Sequence, residues 1–380
     1  MPVPALSSAP FGATPSGTPV ERWVLRSPSG VEAAVLTYGA VLHSLRVPGR
    51  YDPRPAEVVL GLPDAAQYAA QGAYLGAVVG RFGNRIAEGV FTLDGTAYRV
   101  PANDRGNALH GGPDGFDRRV WRAEPGRRPD GAPSLRLHLV SPDGDQGFPG
   151  TLEASVTYTL AEDGSLSLDY RAVTDRSTVV NLTHHAYFNL SGDPGRSVLE
   201  QRLTLEADAY LPIDPTGIPL PGAPAAVAGT PFDFTRPHRV GDRAGEADEQ
   251  LARGGGYDHC WVLRARPRRG PGLARAARLE DPASGRVLDV HTTEPGLQLY
   301  TGQLLDGTLT DTAGRRLGAH AGICLETQHF PDSPNRPDFP STVLRPGRPL
   351  RSRTVLSFPH IGRRAESGRA QGVYSPLPTM

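Results

Sequence analysis

The chain has 380 residues and equal numbers of basic and acidic side chains, 40 of each, so its formal charge is zero. That balance offers no electrostatic footprint for nucleic acid or an anionic membrane. Every basic residue is an arginine, and a chain without lysine has no Schiff-base nucleophile and no route to pyridoxal chemistry. No apolar run is long enough to span a bilayer. The first residues, MPVPALSSAPFG, have neither the basic nor the apolar region of a secretory signal. The two cysteines, Cys260 and Cys324, sit in apolar strand-like runs. They read as reduced core thiols, which places the protein in the cytoplasm.

Glycine (45) and proline (38) are spread along the whole chain, and turn signals alternate with short period-two runs, the pattern of a loop-rich all-β fold. Residues 1–10 are expected to fray. Strands are predicted from Val20 to Val47, with a turn at Ser27–Gly30, and again from Val58 to Leu62. Asp64–Tyr68 is the best helical candidate. Gly76, Gly80 and Gly83 mark close approaches of backbone or ligand. Phe91–Val100, with Asp94-Gly95 at its centre, predicts a hairpin. Residues 134–140, 151–160 and 165–173 alternate cleanly and predict successive antiparallel strands, with turns at Asp143-Gly144 and Asp163-Gly164. One strand is predicted over 179–190 and another over 204–210, followed by a Pro/Gly-rich loop over 212–250. The Arg-rich run 264–278 lacks interleaved aromatics and reads as a solvated hairpin loop. Strands return at 287–291, 297–301, 321–328 and 354–358, and a polar tail follows at 363–380. With no repeat and no linker, one antiparallel β-sandwich domain is expected over residues 11–359, as a monomer or weak homodimer.

The chemistry gathers around Gly322-Ile323-Cys324-Leu325-Glu326-Thr327-Gln328. Alternation turns Ile323 and Leu325 one way and Cys324, Glu326 and Gln328 the other. A carboxylate inside an apolar strand is costly unless it is satisfied by an arginine or backbone amides, or is aimed into a cleft as a base. Prolines 331, 334, 337 and 340 cannot continue a central strand, so a stiff loop should cross the sheet end there. His184 and His185 are neighbours on a strand and face opposite sides, one with Leu182 and Phe188, the other with Thr183 and Tyr187. They cannot easily grip one metal, and the chain has no HExxH or CxxC; no metal or cofactor is expected. Asn84, Arg85, His110 and Asp258 each have an ordinary structural reading. Gln298, opposite the leucine face of its strand, reads as exposed. Together they form the kind of donor and acceptor set that a polyol needs, because every sugar hydroxyl both donates and accepts.

Seven segments then fall into one order: GRFGNRI (80–86), FTLDGTAY (91–98), NALHGG with GFD (107–117), NLTHHAYFNLSG (181–192), YDHCWVL (257–263), EPGLQLYTG (294–302) and GICLETQHFPDSPNRPDFP (322–340). In this the chain resembles the aldose 1-epimerases of the galactose mutarotase type. The resemblance implies a large single-domain β-sandwich. It also implies Glu326 as general base, His185 as general acid, and Asn84, Arg85, His110, Asp258 and Gln298 as residues that hold the sugar. The family commonly has Asn where this chain has His184. The implied reaction is the interconversion of the anomers of a free hexopyranose, without metal or nucleotide. The rivals are a hexose-6-phosphate epimerase, a glycoside hydrolase using Asp258 as second carboxylate, and a non-catalytic sugar-binding protein.

Overall fold

The computed structural model describes residues 5–264 and 272–361. It is built almost wholly of antiparallel strands in three main sheets. A five-stranded meander comprises Ala5–Ala13, Pro19–Arg26, Glu32–Leu36, Leu42–Pro48 and Pro55–Glu57. The nine-stranded sheet has the spatial order Arg122–Arg127, Pro133–Ser141, Leu152–Leu160, Leu166–Thr174, Leu350–Ser357, Arg286–Thr292, Ala274–Asp281, Arg202–Leu205, His238–Arg239. The six-stranded sheet runs Tyr187–Phe188, Ile323–Gln328, Gly296–Tyr300, Asp258–Leu263, Ala207–Leu211, Ala225–Ala226. One apolar core joins all three. Val35 and Leu45 come from the first, Leu137, Val156, Leu168 and Leu288 from the second, and Trp261, Leu297, Ile323 and Leu325 from the third. Because side chains alternate across a strand, the odd-numbered residues of Ile323–Gln328 face this core. Cys324 belongs instead to a second cluster with Tyr187 and Tyr300, and Glu326 shares its side.

The alternating strands over 133–174 form the expected hairpins, and Asp94-Gly95 turns the expected hairpin with both residues at positive φ. The helix is Ala65–Ala70, capped by the Asp64 carboxylate on the Gln67 amide. A second short helix, Glu249–Gly254, begins at the end of the loop expected over 212–250. Five other expectations are corrected. Residues 5–13 do not fray but pair with Pro19–Arg26; as an edge strand with mostly exposed side chains, they carry no burial pattern to read. The 204–210 run is two strands, because the chain leaves the nine-stranded sheet after Leu205 and enters the six-stranded sheet at Ala207. The 179–190 run is three short pieces, each pairing with a different partner. The 58–62 run is buried but irregular, the strand being Pro55–Glu57. The Arg-rich run is not loop to its end, since Ala274–Asp281 is a strand of the nine-stranded sheet. Its residues 265–271, and the tail at 363–380, lie outside the described residues.

Of the three glycines expected to mark close approaches, Gly80 is the tightest, with Phe116 2.4 Å from where its Cβ would stand, and Gly111 packs against it. A Cβ on Gly111 would stand 2.1 Å from the Gly80 carbonyl oxygen, and its φ is +85°. This contact sets the His110 loop against the strand region that leads to Asn84. Gly111→Ala is therefore expected to lower stability by about 2 kcal/mol or more, read as a shifted urea midpoint at unchanged slope.

Candidate active site

A cleft of about 840 Å³ opens on the side of the six-stranded sheet away from the core. Its lining includes Asn84, Arg85, His110, His185, Asp258 and Glu326, six of the seven residues singled out in the sequence. The seventh, Gln298, stands directly opposite Glu326 in the neighbouring strand. It is 3% exposed, not exposed as expected, because the cleft walls cover this face of the sheet. Its amide nitrogen donates to Asp258 Oδ1 at 2.7 Å, so it orients a wall residue from behind.

At the floor, His185 Nε2 lies 3.6 Å from Glu326 Oε1, and both side chains are almost fully buried. Glu326 Oε2 has no hydrogen-bond partner among the described residues. Burial drives the Glu326 carboxyl well above its ordinary pKa; the nearby Asp258 charge adds to this and Arg85 opposes it. Burial also pushes His185 down to about 4. The pair therefore favours its neutral form, with the proton that could charge the imidazole held on the Glu326 carboxyl. The alternation expected for the two histidines holds. His184 turns into the sandwich, where its Nε2 meets the Tyr158 hydroxyl at 3.0 Å.

The surrounding groups have fixed roles. His110 Nδ1 accepts from the Asn84 amide at 3.1 Å, so the neutral ring carries its proton on Nε2. Cys324 Sγ lies 3.6 Å from His185 Nδ1. Burial raises the Cys324 thiol well above its usual range, so it stays protonated. Arg85 Nε donates to Asp104 at 2.9 Å and its Nη2 lies 3.9 Å from Asp258. The proline loop, expected to cross the sheet end, does so and pins Arg85 from outside: the Asp332 amide donates to the Arg85 carbonyl at 2.7 Å. The Asp332 carboxylate also accepts from the Ala87 amide at 2.9 Å.

His110, His185 and Glu326 bring ligand-type atoms within 4.8 Å of one another. Their hydrogen bonds do not suit a metal. The free nitrogen of His110 bears a proton, since its other nitrogen accepts from the Asn84 amide, and a ligating imidazole must offer a lone pair.

The family model described as aldose 1-epimerase matches residues 21–357. Rat galactose mutarotase is 42% identical over 349 residues, 92% of this chain and 97% of that protein. The chain belongs to the aldose 1-epimerase family. The human galactose mutarotase is 41% identical over 355 residues, 93% of this chain and 98% of that one. The aldose 1-epimerase of Escherichia coli K12 is 38% identical over 346 residues, 90% of this chain and 96% of that one. A galactose 1-epimerase crystal structure from Lactobacillus acidophilus superposes with a TM-score of 0.81 at 28% identity, covering 93% of this chain and 98% of that one.

Sequence reasoning missed three residues of this epimerase-family cleft: Tyr74, Tyr300 and Asp104. Tyr74 packs edge-on to His110 at 4.6 Å and lies 5.8 Å from His185, and Tyr300 is 6.5 Å from His185. Asn84, His110 and Tyr74 all have positive φ. For Asn that is common, but a bulky aromatic at positive φ leaves no trace in the sequence.

The unpaired carboxyl makes a stability prediction. Above the ordinary carboxylate pKa of 4.5, the unfolded chain releases a proton that the folded chain, with its raised value, keeps. Stability then falls as pH rises through that window. Glu326→Gln removes this term. Its melting temperature should match wild type near pH 4 and exceed it by about 2 °C or more at pH 7, the shift that roughly 1 kcal/mol gives a domain of this size. Melting curves across pH 4–8 check the divergence.

Proposed function

We propose that this chain interconverts the α and β anomers of free aldohexoses such as galactose and glucose. The observation that carries the reading is the pair at the cleft floor: a carboxyl and an imidazole 3.6 Å apart, surrounded by donors and acceptors suited to a sugar. Opening a pyranose ring requires a proton to leave the anomeric hydroxyl and another to reach the ring oxygen. In the reading we favour, Glu326 takes the first as general base and His185 supplies the second as general acid. The open aldehyde turns about its C1–C2 bond and recloses, the two groups exchanging roles.

A pair holding one transferable proton suits this cycle. The substrate returns the proton it borrows, so the site's charge is the same before and after. A sugar hydroxyl reaching Glu326 Oε2 would satisfy the oxygen left unpaired and favour the carboxylate, offsetting the burial that holds it protonated. Asn84, Arg85, His110 and Asp258 hold the hydroxyls, with Gln298 behind Asp258. The domain extends over residues 11–359, with the strand Ala5–Ala13 joining its first sheet at the edge, and the protein acts as a monomer or weak homodimer in the hexose metabolism of the cytoplasm. Support for that compartment comes from two free, buried cysteines. Among the described residues no helix is long and apolar enough to cross a membrane.

The alternative with hexose 6-phosphates needs free arginines at the rim. Arg105 lies 3.5 Å from Asp104, and Arg253 meets Glu249, so the rim cations already have counter-ions.

Polarimetry on freshly dissolved α-galactose and α-glucose tests the proposal. Wild type should speed the drift to equilibrium. Glu326→Gln and His185→Asn should each lose about 10²–10⁴-fold, the usual worth of acid–base assistance. His184→Asn should keep its rate, since that ring faces the core. Wild-type rates from Glu326→Gln would refute the assignment of the base.

A further inference from the structure

Tyr74 lies on the turn between the helix Ala65–Ala70 and the strand Val78–Val79. Its φ of +55° is a conformation that bulky side chains avoid, so its ring is held in place by what surrounds it. The turn closes through the Ala77 amide donating to the Tyr74 carbonyl at 3.0 Å. It is also joined to the catalytic strand on both sides: the Gly76 amide donates to the His185 carbonyl, and the His185 amide to the Ala77 carbonyl, each at 2.9 Å. The Tyr187 hydroxyl donates to the Ala73 carbonyl at 2.9 Å. Four hydrogen bonds thus fix where Tyr74 stands relative to His185.

That position is the wall of the cleft between the two imidazoles, 4.6 Å from one ring and 5.8 Å from the other. The other tyrosine hydroxyls on this wall are used within the protein. Tyr187 donates to Ala73, and the Tyr300 oxygen accepts from the Leu304 amide at 3.0 Å. The Tyr74 hydroxyl has no hydrogen-bond partner among the described residues. Burial pushes its pKa up to about 12, so it stays protonated at neutral pH and can both donate and accept.

We propose that Tyr74 is a further sugar-binding residue, its hydroxyl paired with a hydroxyl of the bound aldose. This rests on the epimerase reading above. A tyrosine kept only for packing would spend no strained backbone on presenting an unpaired hydroxyl to the cleft. The phenol suits a sugar for the reason that Asn and His do: it matches a group that both donates and accepts.

The test compares wild type, Tyr74→Phe and Tyr74→Ala, using polarimetric initial rates on α-galactose and isothermal titration with galactose. Tyr74→Phe keeps the ring and removes only the oxygen. It should raise both KM and the titrated Kd about 3–10-fold, the worth of one neutral hydrogen bond, with kcat within about twofold of wild type. Tyr74→Ala should weaken binding at least as much and lower kcat as well. If Tyr74→Phe binds galactose like wild type, the proposal is overturned, and a defect confined to Tyr74→Ala would then mark a packing residue. If wild type binds galactose without speeding mutarotation, the catalytic reading fails while the titrations still decide the role of Tyr74. If wild type does not bind galactose, both fall.

Discussion

A carboxyl group buried in the middle of an apolar strand is the constraint around which this molecule is arranged. Glu326 sits between core-facing Leu325 and Thr327 with one oxygen unpaired, and a protein keeps such a group only where something repays its desolvation. The neighbouring strand sets Gln298 opposite it, and Gln298 steadies Asp258. A loop from the far side of the same strand, through Asp332, holds the backbone of Arg85. His185 itself is bound to the turn at 74–77, between one short piece that pairs with Val78–Val79 and another that pairs with Ile323–Gln328. Each element near the cleft makes sense as a support for a polar cluster in a place where polar groups are expensive.

The electrostatics of the pair follow from burial more than from any single neighbour. Desolvation pushes the acid up and the imidazole down, so both prefer to be uncharged. Ion pairing at 3.6 Å offsets this only in part, because the charged form gives up more hydration than the contact returns. A site poised this way keeps its proton until a polar ligand arrives to change the balance.

Much of this was legible in the residues, and what was not has physical reasons. The hairpins over 133–174 could be read because one face of each strand is core and the other solvent. The 202–211 region kept its alternation while changing sheets, so periodicity could not report the switch; only a polar Glu206 marks the corner. Residues 179–190 looked like one strand because strand-favouring residues run through it while the hydrogen-bond partner changes twice. Gln298 was misjudged because alternation tells which side a residue faces, not whether loops from elsewhere cover that side. His184 and His185 were separated correctly by parity alone. Tyr74 was invisible because its place depends on a strained backbone angle and on contacts with segments about 35 and 110 residues further along the chain.

The cleft, at about 840 Å³, lies in the upper part of the range usual for small-molecule sites, roughly 300–1,000 Å³. A pyranose that opens becomes a longer, floppier molecule, and its carbonyl end has to swing before it can reclose on the other face. A tight mould around the closed ring would hold it well and then jam. A cleft of this volume, walled in part by Leu304 and Leu309, leaves an opened aldose room to turn, so loose fit serves turnover as surely as close fit serves grip.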